Sequence, residues 1–154
     1  MNYPNASNNF QQEHAMRLFS SFKHLLARDL IKNYKNDYDI ARQLFHAPFA
    51  LVSHNTDSDP IFNYANLKAL EIFELSWEEF TQTPSRLSAE PINQAERDRL
   101  LALVTNNGYI DHYSGVRISK TGKRFRIKKA IVWNIIADNV YTGQAACFEE
   151  WAFI

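Results

Sequence analysis

The sequence predicts an α+β fold in which helices lie against an antiparallel sheet. Three observations predict it. Apolar residues recur at three- and four-residue steps up to residue 45 and again between 67 and 104. From residue 109 onward they recur at two-residue steps, and short turn motifs such as Thr121-Gly122 and Asp138-Asn139 divide the segments. The order of hairpin, short helices and returning meander differs from the β-α-β alternation of a doubly wound sheet. At 154 residues, 45% apolar and 14% aromatic, the chain is long enough for one domain with its own core.

Each element has a local reason. Residues 1–10 are polar, asparagine-rich and expected to be a flexible N-terminus. Residues 11–36 predict an amphipathic N-terminal helix of about six turns, with Ala15, Leu18, Phe19, Phe22, Leu26, Leu30 and Tyr34 on one stripe. A shorter helix follows, capped by Asn36 or Asp37 and stopped by Pro48. Phe49 to Ser53 and Ile61 to Tyr64 predict a hairpin across the Asn55–Pro60 turn. Asn66 can cap a helix, Ser76-Trp77-Glu78-Glu79 is a capping box, and Asn93-Gln94-Ala95-Glu96 has the pattern of another, its helix ended by Gly108. Strands over 109–119, 124–137 and 140–153 complete a five-stranded sheet with the short helices on one face. The main domain is expected over 37–154.

Composition excludes several classes. One cysteine, Cys147, allows no intramolecular disulfide and no multi-cysteine metal site. No secretory leader and no apolar run of spanning length is visible, so a cytoplasmic protein without membrane contact is expected. The 17 basic and 17 acidic side chains cancel. That neutrality conceals two opposed patches: seven basic residues and no acid over 117–129, and nine acids against three basic residues over 57–98. The basic hairpin could meet a polyanion, but its commoner role is a solvated edge, and nucleic acid is disfavoured.

Candidate chemistry is sparse. Asn55, Asp57 and Asp59 alternate like a calcium loop, but Pro60 replaces the required glycine and Asn66 the required acid, so no metal is assigned. His46 and His54 flank the first strand and His112 lies in a later one, with no helical pair for a metal. Cys147 sits between Ala146 and Phe148 in a strand and has the pattern of a packing residue. Arg86, in a loop between helices, can anchor a ligand carboxylate or pair with Glu90. No nucleophile, base and orienter stand together; an enzyme with a curved-sheet pocket using His54, His112 or Arg86 is the alternative.

Phe62-Asn63-Tyr64-Ala65-Asn66, followed by Trp77-Glu78-Glu79-Phe80, resembles the strand and helix of PAS domains. Further ordered blocks extend the likeness: Phe45 to Phe49, Asp59 to Asn66, Pro84 to Glu90, Tyr113 to Ser119, Thr121 to Phe125 and Gly143 to Ala146. Together they resemble the MEKHLA family, a PAS-like domain found alone in bacteria and at the C-terminus of plant class III homeodomain–leucine zipper transcription factors. The likeness covers residue 40 to the end; the naming string itself is absent, and the chain is similar to the stand-alone bacterial type.

The resemblance implies a PAS-like sheet and a non-catalytic sensory or protein-interaction module, with no ligand specified. Flavin PAS domains of the light-sensing kind carry a cysteine in the region matching Thr83 to Glu90, and haem-binding ones a histidine on the helix matching 93–107. Neither residue is present, which disfavours cysteinyl-flavin and histidine-ligated haem. A small apolar ligand would lie between the inner sheet face and the short helices, with Phe62, Tyr64, Leu70, Phe73, Trp133 and Cys147 lining it and Arg86 as polar anchor. The long apolar stripe of the N-terminal helix must bury on its own sheet or on a second subunit, and a homodimer through that helix is expected.

Overall fold

In the computed structural model, which describes all 154 residues, three of the five α-helices are opened by a side chain beside them in sequence. Asn36 accepts from Asp39 N at 2.9 Å and opens a helix at Asp37. Asn66 does the same for Ala69 N at 3.1 Å, and Ser76 and Glu79 cap each other's backbone reciprocally. Gly108, at φ +93°, closes the longest helix with its N–H on the Val104 carbonyl. The elements are α1 (Gln12–Leu26), α2 (Asp37–Phe45), β1 (Ala50–His54), β2 (Phe62–Ala65), α3 (Leu67–Phe73), α4 (Trp77–Phe80), α5 (Pro91–Asn107), β3 (Tyr109–Ile118), β4 (Arg124–Ala137), β5 (Val140–Phe148) and β6 (Glu150–Phe153). Short 3-10 turns span Ala6–Asn8 and Ser85–Ser88.

Four expectations are corrected. α1 has about four turns, because Ala27 enters the left-handed region at φ 57° and ends it; Tyr34 then folds back edge-on to Phe19 at 5.5 Å, continuing the stripe without a helix. α5 starts at Pro91, whose fixed φ suits the first helical position, so Glu96 is free to accept from the Tyr113 hydroxyl at 3.0 Å. The last strand breaks at Glu149 into β5 and β6. The first ten residues are mostly exposed but meet the core at two rings, since Tyr3 stands edge-on to Phe45 at 5.3 Å and Phe10 is buried.

The sheet order is β2-β1-β5-β4-β3, antiparallel throughout, and β6 pairs with β4 along the edge that β5 leaves (Phe125 opposite Phe153, Lys128 opposite Glu150). Left-handed residues His112 (φ 57°) and Lys129 (φ 53°) sit at irregularities in the β3–β4 pairing. Each shifts its strand by one residue. Ile127 and Val132, five apart, therefore face the same way.

Both sheet faces are covered. On one, α1 lays Phe22 edge-on to Trp133 at 5.0 Å, and Ser21 Oγ bonds both the N–H (2.9 Å) and the carbonyl (3.1 Å) of Ile136. The apolar stripe of the N-terminal helix is thus buried on its own sheet. The other face carries α3 and α5: Phe73 meets Phe125 at 5.3 Å, and Asn134 Nδ2 donates to the Val104 carbonyl at 3.0 Å. No helix is long and apolar enough to cross a membrane.

The α1 face also carries a pH dependence. His14 is buried with Nε2 2.9 Å from Ser53 Oγ, and burial, helped by the Arg17 charge, holds its pKa down to about 4. In the unfolded chain the ring takes its proton near ~6.5, so acid favours unfolding first. This contribution is complete above pH ~6.5 and is lost as pH falls toward 4, about 3 kcal/mol for the full shift. His54 is displaced in the same direction, chiefly by burial. Urea midpoints should fall steadily from pH 6.5 to 4, and His14→Gln should flatten the slope. An equally steep slope in the variant would contradict the assignment.

Candidate functional site

Between the second sheet face, α3, the Ser85–Ser88 turn and α5 lies a cavity of about 70 Å³. Alternation along the strands supplies its apolar wall from Val52, Phe62, Ile127, Val132 and Phe148, and α3 adds Phe73. Its polar end is unusual for a core. Arg97, only 6% exposed, occupies the inner stripe of α5 with Leu100 and Val104. Arg117, 8% exposed, projects inward from β3.

Neither guanidinium is fully partnered. Arg97 donates to Ser85 Oγ and to Asp98 Oδ1 at 3.3 Å, a carboxylate that is itself largely in solvent. Arg117 donates to the Val116 carbonyl at 2.9 Å and the Tyr113 hydroxyl at 3.3 Å. Each arginine therefore uses two of its five N–H donors. Burial, and secondly the nearby Arg117 charge, lowers the pKa of Arg97. Gly115 makes this end possible, because a Cβ there would stand 2.2 Å from the Tyr113 hydroxyl.

His54, at the end of β1, is 8% exposed and lines the same cavity. Its Nδ1 lies 2.9 Å from the Asn55 carbonyl, which can only accept, so Nδ1 carries the proton. Nε2 is then an acceptor that receives no well-aligned hydrogen bond, with the Gln144 side chain close beside it. Gln144 beside it donates to the Leu101 carbonyl (3.1 Å), Thr105 Oγ1 (3.0 Å) and Asn134 Oδ1 (3.1 Å).

The cavity lies where the sequence reading expected it, but with a different lining. Phe62 and Phe73 face it. Tyr64, Trp133 and Cys147 do not: they face α1, where Tyr64 meets His14 at 5.7 Å and burial pushes the Cys147 thiol up to about 12. Leu70 is core, and Arg86 is exposed with Nε 3.2 Å from both Asp59 oxygens, Glu90 being taken by Arg124 at 3.6 Å. Arg97 and Arg117 were missed because they were counted as surface charge. A charge at the 97/100/104 helical spacing, and another at the 113/115/117 strand spacing, is the signal that marks them.

Of His54, His112 and Arg86, only His54 reaches the cavity; His112 lies in solvent 3.9 Å from Asp111. The opposed charge patches meet each other within the chain. Lys120 pairs with Glu79, Lys123 with Glu74 at 2.9 Å, and Arg124 with Glu90, which fastens the β3–β4 hairpin tip to α3, α4 and the loop before α5. The Lys120 ammonium holds the Glu79 carboxyl down to about 2. A cavity of about 70 Å³ is small for a three-ring flavin.

Comparison with known proteins agrees with this architecture. The rice (Oryza sativa, subspecies indica and japonica) homeobox-leucine zipper protein HOX10 is 26% identical over 138 residues, 87% of this chain. Only 16% of HOX10 is covered, so the chain spans about a sixth of that relative's length. The PAS domain of a Colwellia psychrerythraea protein superposes with a TM-score of 0.62 at 16% identity, covering 74% of this chain and 92% of that one. The blue-light activated histidine kinase EL346 of Erythrobacter litoralis gives 0.57 at 12% identity, over 73% of this chain and 35% of its own. An RNA-binding light-oxygen-voltage receptor gives 0.57 at 15%, over 71% and 31%. At such identities these structures speak for the fold alone, which is PAS-like. The family model for the MEKHLA domain matches residues 12–153, taking in α1 together with the sheet face it covers, and the chain belongs to the MEKHLA domain family.

Proposed function

We propose that this domain is a non-catalytic sensory module that reads a small ligand in the cavity beneath α5. The observation that supports this is the polar end of that cavity: two buried arginines and a His54 nitrogen that receives no well-aligned hydrogen bond, set in a mainly apolar lining. Arg97 belongs to α5 and Arg117 to β3, so a ligand touching both couples a helix to the strand pair ending in the ion-paired hairpin tip. Occupancy would then bias how α5 and that hairpin are presented to a protein partner. A cytoplasmic setting belongs to the same reading.

A homodimer through the N-terminal helix is a separate proposal with a narrower contact. With its apolar stripe on the sheet, α1 offers Glu13, Arg17 and Ser20 beside Ala137 and Asp138 at the β4–β5 turn. Native mass spectrometry of freshly purified protein tests both ideas. Release of a small mass on activation supports the ligand, and a two-chain ion supports the dimer. Bare single chains, together with no methyl shifts of Val52 or Val132 in a screen of small ligands, would remove both.

A further inference from the structure

We infer that the cavity is a binding site for a small hydroxycarboxylate, its carboxylate held between Arg97 and Arg117 and its hydroxyl donating to His54 Nε2. The inference rests on the ligand-cavity reading above and names the class of ligand.

Charge comes first. Two guanidiniums are buried at one end of the cavity, and the only carboxylate in direct contact with either is the solvated Asp98. Glu96 is spent on the Tyr113 hydroxyl rather than on Arg117. Buried cations are retained where an anion completes them, and removing both from water without one is costly. Six of the ten N–H donors on the pair form no hydrogen bond within the chain. A carboxylate presents two oxygens that accept such donors in the fork geometry arginine favours.

The second, independent observation is His54. Its tautomer is set by the Asn55 carbonyl, so Nε2 offers a lone pair and asks for a donor. A simple carboxylate has none to give; a hydroxyl on the adjacent carbon has one. Burial, with the Arg97 charge adding to it, outweighs the opposing hydrogen bonds to Asn55 and Gln144 and holds this ring's pKa down, which preserves the acceptor. Size is the third constraint. About 70 Å³ admits on the order of five to seven non-hydrogen atoms, and the remaining wall of Val52, Phe73 and Val132 suits a short apolar tail. Inorganic phosphate has the size and charge but nothing to place against that wall.

The test is titration of the intact, methyl-labelled chain with lactate, propionate, lactamide and inorganic phosphate at matched ionic strength. Shifts of the Val52, Leu100 and Val132 methyls report occupancy. Lactate should bind at least tenfold more tightly than propionate, which lacks the hydroxyl, and than lactamide, which lacks the charge. Arg97→Gln and Arg117→Gln should each weaken lactate at least tenfold, and His54→Phe should abolish the preference over propionate. Lactamide binding as well as lactate, propionate equalling lactate, or phosphate exceeding both would overturn the inference while leaving a ligand cavity in place. No shift with any of the four overturns it too, and the ligand reading falls with it only if the native mass spectrum and the ligand screen are also blank. Because the wild-type ranking needs no variant, a variant that fails to fold does not rescue the idea.

Discussion

Deleting residues 1–34 should leave a chain that does not fold cooperatively, in place of the soluble monomer expected if this segment were only a dimerisation arm. The deletion removes Phe10, Leu18, Phe19 and Phe22, each at most 9% exposed. Burying side chains of this kind stabilises by ~1.5–3 kcal/mol each, so the four together are worth on the order of 6–12 kcal/mol. A domain of this size is stable by only ~5–15 kcal/mol in total. The loss is therefore comparable to the whole stability. The exposed surface makes matters worse, because Trp133, Tyr64 and Ile135 are fully buried and lie beneath α1 or beside its contacts. Their faces would form an apolar patch of the kind that drives aggregation. A thermal melt followed by circular dichroism, with dye binding to exposed apolar surface, decides the point. A sharp melt near the wild-type midpoint would show that the sheet needs no cover on this face. Phe22→Ala gives the graded version, with about 3–5 kcal/mol expected from loss of a buried phenyl ring.

Of the two covers that the stripe allows, its own sheet takes it up, and the reason the sequence leaves both open is physical. A stripe at 3.6-residue spacing says that a surface must be covered, not by what. Sequence reasoning could place the stripe on Leu18 and Phe22 but could not see that Trp133, 111 residues later than Phe22, lies opposite. Local features were legible for the opposite reason. The caps at Asn36, Asn66 and Ser76 and the stop at Gly108 act on backbone groups within four residues, so their chemistry is written beside them. Asn93-Gln94-Ala95-Glu96 misled because Pro91, two residues earlier, is a stronger helix start, and Glu96 has a tertiary partner in Tyr113.

The candidate site shows the same division. Its location followed from the layer order, and Phe62 and Phe73 followed from strand and helix period. Tyr64, Trp133 and Cys147 were assigned to it on the premise of one covered face, whereas two covered faces give inward residues two destinations. The charge patches were legible as opposites, and their partners turned out to be each other. Arg117 was counted in the wrong group: within the basic run it alone points into the core.

The second large effect is expected at Asn66, and Asn66→Asp should cost more than the loss of a helix cap. The side chain is fully buried, and all four of its hydrogen-bonding positions are used. Oδ1 accepts from Leu51 N at 3.0 Å and Ala69 N at 3.1 Å; Nδ2 donates to the Leu44 carbonyl at 3.0 Å and the Phe49 carbonyl at 2.8 Å. One residue thus joins the end of α2, the start of β1 and the first turn of α3. Aspartate keeps the acceptor side, so the cap on α3 survives. It loses both donors, and a carboxylate oxygen then faces two carbonyl oxygens with no water to screen them. A buried acceptor left without its partner costs ~1–3 kcal/mol, less at Leu44, whose carbonyl keeps the Ala47 N–H, and desolvating the charge adds to that unless the group takes a proton. A loss of about 4 kcal/mol is expected at neutral pH, read as a shift in urea midpoint with little change in slope. The pH profile separates this account from a loss of packing. Once protonated, the introduced carboxyl regains one donor, so the variant's deficit should shrink as the solution is acidified, opposite in sign to the His14 effect, which both proteins share. Asn66→Ala, with no charge to neutralise, should show a deficit that stays constant across that range. If the two variants lose the same stability at every pH, the buried donor pair is not what Asn66 contributes.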